Sequence, residues 1–313
     1  MPAHGPPVSD EPGCAERRAR NYWTVGLLLA IGGVLCFSLR PILIKLAYAW
    51  SQDPVTLLAL RMAFAAPFFA GVAVWSRSGA TSAISSRDMT YVVLLGLLSY
   101  YAASFLDFLA LQYISAGLGR LVLFLYPTIV VLLSAAFLAR PMTIRELIAL
   151  VLTYAGLALV LLHSFDGNRD VLLGAALAMA SSLCYAVYLV AGSQVIARVG
   201  SMRFSAYAMV AATVACLLQF FVLRPLSALE VPVQVLGYAA TMAVISTVVP
   251  VFLTAEALRR VGANTVAIVG ALGPVSTIAL GWFGLEEAMT PLQLGGVGLV
   301  LIGVLAVSIR PRV

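Results

Sequence analysis

Long apolar runs, separated by short polar segments, dominate the hydropathy pattern of the chain. Apolar stretches of about 20 residues are typical of membrane-spanning helices. The loops between the runs are short, so neighbouring spans are expected to form antiparallel hairpins. Residues 1–21 are polar and rich in proline and glycine, which predicts a disordered cytoplasmic tail. The pattern predicts ten spans, at 22–48, 54–75, 90–112, 116–138, 145–163, 171–194, 203–223, 233–258, 263–284 and 291–309.

Composition also indicates a membrane protein. Of the 313 residues, 62% are hydrophobic and only 10% are charged, and the mean hydropathy is +1.02, far from the balance of a soluble domain. The formal net charge of +6 follows from topology and does not predict a nucleic-acid partner. Thirteen arginines fall on one side of the predicted membrane, and two, Arg169 and Arg224, fall on the other. Because basic loops stay in the cytoplasm, the sequence predicts a multi-pass protein of the cell (inner) membrane with both termini cytoplasmic.

Residues that build enzyme sites are scarce. Cys14 lies in the predicted tail, and Cys36, Cys184 and Cys216 lie within spans, so the cysteines indicate neither a disulfide framework nor a metal site. The chain has two histidines and lacks the H-E-x-x-H, G-x-S-x-G and C-x-x-C motifs and a glycine-rich phosphate loop. The sequence therefore predicts no enzyme activity, no cofactor and no metal. A passive channel and a membrane-embedded enzyme stay open as alternatives from other classes.

The second half of the chain repeats the first. Residues 105–163 and 252–310, aligned without gaps at an offset of 147, are identical at 16 of 59 positions. Each half holds five spans, an odd number, so the second half must lie inverted relative to the first. The predicted fold is an all-α integral membrane protein with ten transmembrane helices, arranged as two inverted five-helix repeats at 22–163 and 170–310. Inverted repeats are typical of secondary transporters.

Two prolines occupy matching positions in the middle of apolar spans. Pro127 lies in "LFLYPTIVVL" and Pro274 in "ALGPVSTIAL". Proline has no backbone N–H, so each should kink its helix and free the carbonyl four residues earlier, that of Leu123 or Gly270. In transporters built from inverted repeats, such breaks mark the substrate site. We predict that both kinks frame a cavity, with a simple packing role as the alternative.

These features together resemble the EamA-type members of the drug/metabolite transporter superfamily. Family repeats show a lysine late in span 1, a proline opening span 2 and an arginine within it, which Lys45, Pro54 and Arg61 match. They also show Ala-Leu at the end of span 3 and a proline in span 4, as in "ALQYISAGLGRLVLFLYPTIVVL" (110–132) and "ALRRVGANTVAIVGALGPVSTIAL" (257–280). A Gly-Glu usually follows span 4, where this chain has Ala139-Arg140. The resemblance implies a transporter with a central cavity lined mainly by spans 1, 3, 4, 6, 8 and 9. It also implies substrates among amino acids, other metabolites, sugar phosphates and nucleotide sugars.

Charged residues within spans are costly, so each is a functional candidate. Arg40, Lys45, Arg61, Asp107 and Arg120 lie in the first half, and their counterparts in the second half are uncharged. Arg40 and Arg120 match no family-wide position and are the better candidates for binding, with snorkelling or ion pairing as the alternative. Asp107 and Arg120 are about equally far from the turn between spans 3 and 4, so a salt bridge between them is predicted if their helix faces agree. The surplus positive charge predicts an anionic group on the substrate.

Aromatic and hydroxyl side chains at mid-depth complete the predicted site, because they suit a cavity that is apolar yet orients its ligand. We predict secondary transport of a small polar metabolite, an amino acid or a related compound with an anionic group, by alternating access and in the direction of export. An organic-phosphate or nucleotide-sugar exchanger is the alternative. The expected partners are a small-molecule substrate and the lipid bilayer, and the expected assembly is a monomer or weak homodimer. The predicted substrate-binding residues are Arg40, Tyr101, Ser104, Asp107, Arg120, Tyr126, Tyr185, Tyr188 and Thr247.

Overall fold

The computed structural model describes residues 12–78, 84–137, 142–164, 169–287 and 289–308, and every regular element in these ranges is helical. Two of the elements are π-helical turns, and a short 3₁₀ helix spans Leu226–Leu229. The elements are α1 (Pro12–Tyr48), α2 (Pro54–Ser78), α3 (Ser86–Gly96), π1 (Leu97–Ala103), α4 (Ser104–Ala110), α5 (Ala116–Leu123), α6 (Tyr126–Phe137), α7 (Ile144–Ser164), α8 (Arg169–Val199), α9 (Ser201–Leu223), α10 (Val233–Ala243), π2 (Val244–Val248), α11 (Val249–Gly270), α12 (Leu272–Leu285) and α13 (Pro291–Ser308).

The described helices supply ten membrane spans. Eight segments are long and apolar enough to cross a membrane, and the shorter apolar helices Leu272–Leu285 and Pro291–Ala306 supply the other two. Large apolar side chains cover the outside of the bundle, as in Trp75 (71% exposed), Val222 (80%) and Phe283 (82%). Lipid tails solvate such side chains, so their exposure carries no penalty in a bilayer. These observations confirm the predicted all-α fold with ten spans.

The first helix begins earlier than predicted. α1 starts at Pro12, although its apolar span begins only at Asn21. Residues 12–20 are therefore helical and not disordered, which corrects that part of the predicted tail. Alanine, glutamate and arginine at positions 15–20 are good helix formers, and they continue the helix out of the membrane. Residues 1–11 of the predicted tail lie outside the described residues.

The two halves interlock. α1 packs along α11 and α12, α2 packs along α9, and α7 packs along α13. Glycines let the last pair approach closely, because a Cβ on Gly156 would lie 2.6 Å from the carbonyl oxygen of Gly296. Small residues at such contacts are the usual way for membrane helices to gain van der Waals contact. The walls of any central cavity are therefore built from both repeats.

Helices are interrupted at matching positions in the two halves. π1 begins at Leu97 and π2 at Val244, which are 147 residues apart, the offset of the sequence repeat. Span 4 is interrupted at Phe124 and Leu125, and span 9 at Ala271, which is 147 residues after Phe124. π-helical turns are rare and occur frequently at functional sites. The two symmetric pairs of interruptions therefore predict a functional site in the region between them.

The turn between spans 8 and 9 differs from the prediction. The sequence predicts a loop there, but the residues from Val249 to Gly270 are helical, and the apolar span ends at Val261. The chain nevertheless reverses direction, because Val261 lies against Gly26 near the start of α1 whereas Gly273 lies back beside Ser38. Alanine, glutamate, leucine and arginine before the reversal are helix formers, so the residues stay helical up to it.

The loops at 49–53, 111–115 and 286–287 lie at one end of the bundle, because the side chain of Gln112 donates to the carbonyl of Gln52 and Glu287 accepts the N–H of Ala116. We call this end the outer end, in keeping with the predicted orientation. A salt bridge there joins the two halves: Asp53 accepts from Nε of Arg224 at 2.8 Å and from Nη2 at 3.0 Å. Burial by itself raises the pKa of Asp53, but the hydrogen bonds from Arg224 and Thr56 outweigh it. The pKa of Asp53 therefore lies below its ordinary value.

Candidate functional site

A central cavity of about 420 Å³ lies between the two halves. Its walls come from spans 1, 3, 4, 6, 8 and 9, the six spans that the family resemblance implies. The apolar lining consists of Ala30, Val34, Phe37, Ala103, Leu123, Phe124, Val266 and Gly270. The polar lining consists of Arg40, Ser99, Tyr100, Ser104, Asp107, Arg120, Tyr126, Ser181, Tyr185 and Thr254.

Three charged side chains lie in the wall: Arg40 on α1, Asp107 on α4 and Arg120 on α5. Asp107 is only 5% exposed. The Nε atoms of Arg40 and Arg120 are buried and have no hydrogen-bond partner among the described residues. Both arginines are close enough to act on Asp107 electrostatically. The cavity wall thus carries two cations and one anion. No acceptor among the described residues binds the Nε–H group of either guanidinium.

The predicted salt bridge between Asp107 and Arg120 is wrong. None of the ion pairs formed by the described residues includes Asp107. The guanidinium of Arg120 instead lies over Gly273 of α12, where a Cβ would be only 3.1 Å from Nη2. Equal distance from a turn fixes the height of two side chains along their helices but not the direction in which each points. Because Gly273 has no side chain, the guanidinium of Arg120 can lie against its backbone, and this contact sets the direction of the Arg120 side chain.

A further cation lies behind the wall. Arg61 of α2 is 2% exposed and stacks on Phe108, with its Cζ 5.1 Å from the ring centre. Its Nε and Nη1 atoms have no hydrogen-bond partner within the described part of the chain. Arg61 acts electrostatically on Asp107 but does not line the cavity. It therefore adds a third positive charge near Asp107, although the two lining arginines act on this carboxylate more strongly.

Four tyrosines form a continuous cluster along one wall. Tyr126 and Tyr185 lie in the lining, with ring centres 4.9 Å apart in an edge-to-face arrangement. Tyr185 stacks on Tyr188 at 5.7 Å, and the hydroxyl oxygens of Tyr188 and Tyr100 are 3.3 Å apart. Such rings offer apolar surface with a polar tip, which suits a ligand that has both apolar and polar parts.

Three of the predicted residues lie outside the lining of this cavity. Tyr101 packs against the apolar cluster that contains Met209. Tyr188 is 7% exposed and lies behind the lining tyrosines. Thr247 is 6% exposed, and its hydroxyl donates to the carbonyl of Met242, five residues earlier, at 3.0 Å. The apolar pattern gives the depth of these residues, but the π-helical turns change the faces on which Tyr101 and Thr247 lie, whereas Tyr188 lies within α8 and packs behind other tyrosines.

Two neighbouring serines bind carbonyls at the helix interruptions, and the predicted site omits them. Because Pro127 cannot donate, the carbonyl of Leu123 lacks its helical partner. The hydroxyl of Ser182 donates to it at 3.0 Å. Ser181 donates at 2.7 Å to the carbonyl of Ala103, the last residue of π1. The adjacent serines in the apolar span, "ASSLCY" at 180–185, are the sequence signal that could have identified them.

The model of the EamA-like transporter family matches residues 24–162 and again residues 172–309, so it covers both halves. The chain belongs to the EamA-like transporter family. The transporter YcbK of Bacillus subtilis is 30% identical over 291 residues, which cover 89% of this chain and 92% of YcbK. The threonine/homoserine exporter RhtA of Escherichia coli K12 is 26% identical over 227 residues, which cover 71% of this chain and 70% of RhtA. A solved crystal structure with 19% identity has a TM-score of 0.62 and covers 90% of this chain and 94% of its own, which shows the fold.

In this EamA-like transporter, the two repeats meet at the interruption of span 9. Gly270 lies in the cavity lining, directly before that interruption, and Pro274 follows it. The hydroxyl of Ser38 on α1 donates to the carbonyl of Gly273 at 3.1 Å. Leu123 and Phe124, at the matching interruption of span 4, also line the cavity. Both interrupted helices of this multi-pass membrane transporter therefore border the same space.

Proposed function

We propose that the chain is a secondary transporter that exports a small polar metabolite by alternating access. Its substrate is an amino acid or a related organic compound with an anionic group. The observation that supports this most is the pair of arginines, Arg40 and Arg120, that face one cavity together with a single carboxylate, Asp107. Their buried Nε donors have no partner among the described residues, and an anionic ligand can accept hydrogen bonds from them. Buried charges without a partner are costly, so a ligand that pairs with them gains affinity.

The size of the cavity favours a small metabolite over a nucleotide sugar. Its volume of about 420 Å³ is near the lower end of the roughly 300–1,000 Å³ that is usual for small-molecule pockets. The similarity to an exporter named for threonine and homoserine supports the amino-acid class and the direction of export. An amino acid bound here presents its carboxylate to the arginines and its ammonium group to Asp107.

We also propose that the protein lies in the cell inner membrane, as a monomer or weak homodimer, with both termini in the cytoplasm. The thirteen arginines on one side and two on the other support this orientation. Ala228→Cys should react with a membrane-impermeant maleimide in intact cells, whereas Met142→Cys should react only after permeabilisation. The reverse pattern would show that the orientation is wrong.

Transport in proteoliposomes tests the function. A panel of amino acids, organic phosphates and nucleotide sugars is screened for saturable flux, with and without a pH gradient. We expect saturable flux of an amino acid or related carboxylate, which Arg40→Ala lowers at least about tenfold and Arg40→Lys partly retains. Flux confined to organic phosphates or nucleotide sugars would favour the exchanger. Flux that does not saturate would favour a channel.

A further inference from the structure

A carboxylate of the second half binds a helix of the first half at the outer end. Glu287, in the loop after α12, accepts the backbone N–H of Ala116, with Oε2 at 2.9 Å and Oε1 at 3.1 Å. Ala116 is the first residue of α5, so the carboxylate lies at the positive end of the helix dipole. Nζ of Lys45 on α1 lies 4.0 Å from Oε1 of Glu287. One carboxylate therefore links span 1, span 4 and the loop after span 9, and we call this contact the outer latch.

The helix held by the outer latch closes the cavity on that side. α5 is short, ends at the interruption beside the cavity, and carries Arg120 one turn in from the outer latch. Gly117, in its first turn, packs so closely on Ile278 of α12 that a Cβ would lie 3.2 Å from Cγ1. This packing lies between Arg120 and the outer loops. Movement of α5 away from α12 would therefore open the cavity towards the outer end and shift Arg120 at the same time.

The sequence lacks a matching carboxylate at the other end of the protein. At the repeat offset of 147, the counterpart of Glu287 is Arg140. A guanidinium group has no acceptor for a backbone N–H, and its charge is unfavourable at a helix N-terminus. The chain thus departs from its own repeat symmetry at the position that holds the outer latch. At the other end the described residues join the halves through the ion pair of Asp88 with Arg198, whose guanidinium is half exposed and therefore contributes little. The more buried outer latch thus biases the protein towards the conformation closed at the outer end.

We propose that Glu287 holds the outer gate of this transporter shut and that the conformation closed at the outer end is the resting one. This inference rests on the alternating access of the proposed function. Glu287 acts as a positioning residue, because it sets the place of α5 and thereby of Arg120. Release of the outer latch is the step that lets the cavity open outwards.

Accessibility of the cavity to a reagent tests the outer latch without any substrate. The reporter is Ser104→Cys, which lies in the cavity lining, in a background where the four native cysteines are replaced. A membrane-impermeant thiosulfonate is added to the side from which Ala228→Cys reacts. We expect slow labelling of the reporter alone and labelling about tenfold faster with Glu287→Ala, the factor that corresponds to loss of one hydrogen bond to a charged group. The matched control, Glu286→Ala, removes the neighbouring exposed carboxylate and should leave the rate unchanged.

An unchanged rate with Glu287→Ala, or an equal rise with Glu286→Ala, would overturn the proposal. Where Glu287→Ala does not fold, Glu287→Gln serves instead, because it keeps an acceptor but loses the charge, and an intermediate rate is expected. A change in labelling without flux of any compound would reject the proposed function and leave the outer latch standing. Normal flux with unchanged labelling would reject the outer latch alone.

Discussion

Ser182→Ala is expected to destabilise the protein only while Pro127 is present. The hydroxyl of Ser182 donates to the carbonyl of Leu123 at 3.0 Å. That carbonyl has no backbone donor four residues later, because proline has no N–H. Hydrogen bonds within membrane proteins contribute about 0.6 kcal/mol on average and up to about 1.7 kcal/mol, whereas an unpaired buried carbonyl costs about 1–3 kcal/mol. Ser182 is fully buried, so the free energy of unfolding should fall by about 1–2 kcal/mol.

Replacing the proline restores the missing donor. In Pro127→Ala the new N–H can bond to the carbonyl of Leu123, so adding Ser182→Ala should cost less than about 0.5 kcal/mol. The assay is a double-mutant cycle of unfolding free energies for the purified proteins in micelles. Ser181→Ala is the matched control, because its hydrogen bond goes to the carbonyl of Ala103 and its cost should not depend on residue 127. An equal cost of Ser182→Ala in both backgrounds would refute the reasoning.

Three further expectations concern transport and pH. Arg40→Ala should lower flux at least about tenfold with little change in thermal stability, and full flux would leave Arg40 as a snorkelling side chain. Pro127→Ala and Pro274→Ala should each lower flux several-fold in folded protein. Normal flux in both variants would show that the kinks serve only helix packing. Because the pKa of Asp53 is lower in the folded than in the unfolded state, its pair with Arg224 stabilises above about pH 4. That contribution, below about 1 kcal/mol for a partly exposed pair, is lost as the pH falls through the folded pKa. Asp53→Asn should therefore remove this part of the fall in Tm between about pH 5 and pH 3.

The sequence predicts the spans, the repeat and the place of the cavity for identifiable reasons. Segments in lipid must pair their backbone polar groups internally and present apolar side chains, so the apolar runs reveal the spans directly. The prolines at 127 and 274 lack an N–H whatever surrounds them, and both lie beside the cavity in the structure. Arg40, Asp107 and Arg120 all line it, because buried charges in a membrane gather in polar cavities.

The sequence does not predict the directions of side chains. Tyr101 and Thr247 have suitable chemistry and depth, but they lie in π-helical turns, which alter the rotation of the helix that follows. No single residue type marks such a turn, so the apolar pattern alone misses it. The contact between Arg120 and Gly273 joins residues 153 positions apart, and its geometry depends on the packing of α5 against α12.

The matched π-helical turns also set the electric field inside the cavity, because they fix which side chains face it. One extra residue rotates everything beyond it by about 100° around the helix axis, so without π1 the carboxylate of Asp107 would leave the cavity wall. Both halves carry the turn at the same repeat position, and Asp107 and Thr254, which follow the two turns and are 147 residues apart, both line the cavity. The two walls therefore share one backbone geometry but differ in charge. An ion in the cavity experiences an asymmetric electric field although the helices around it are arranged symmetrically.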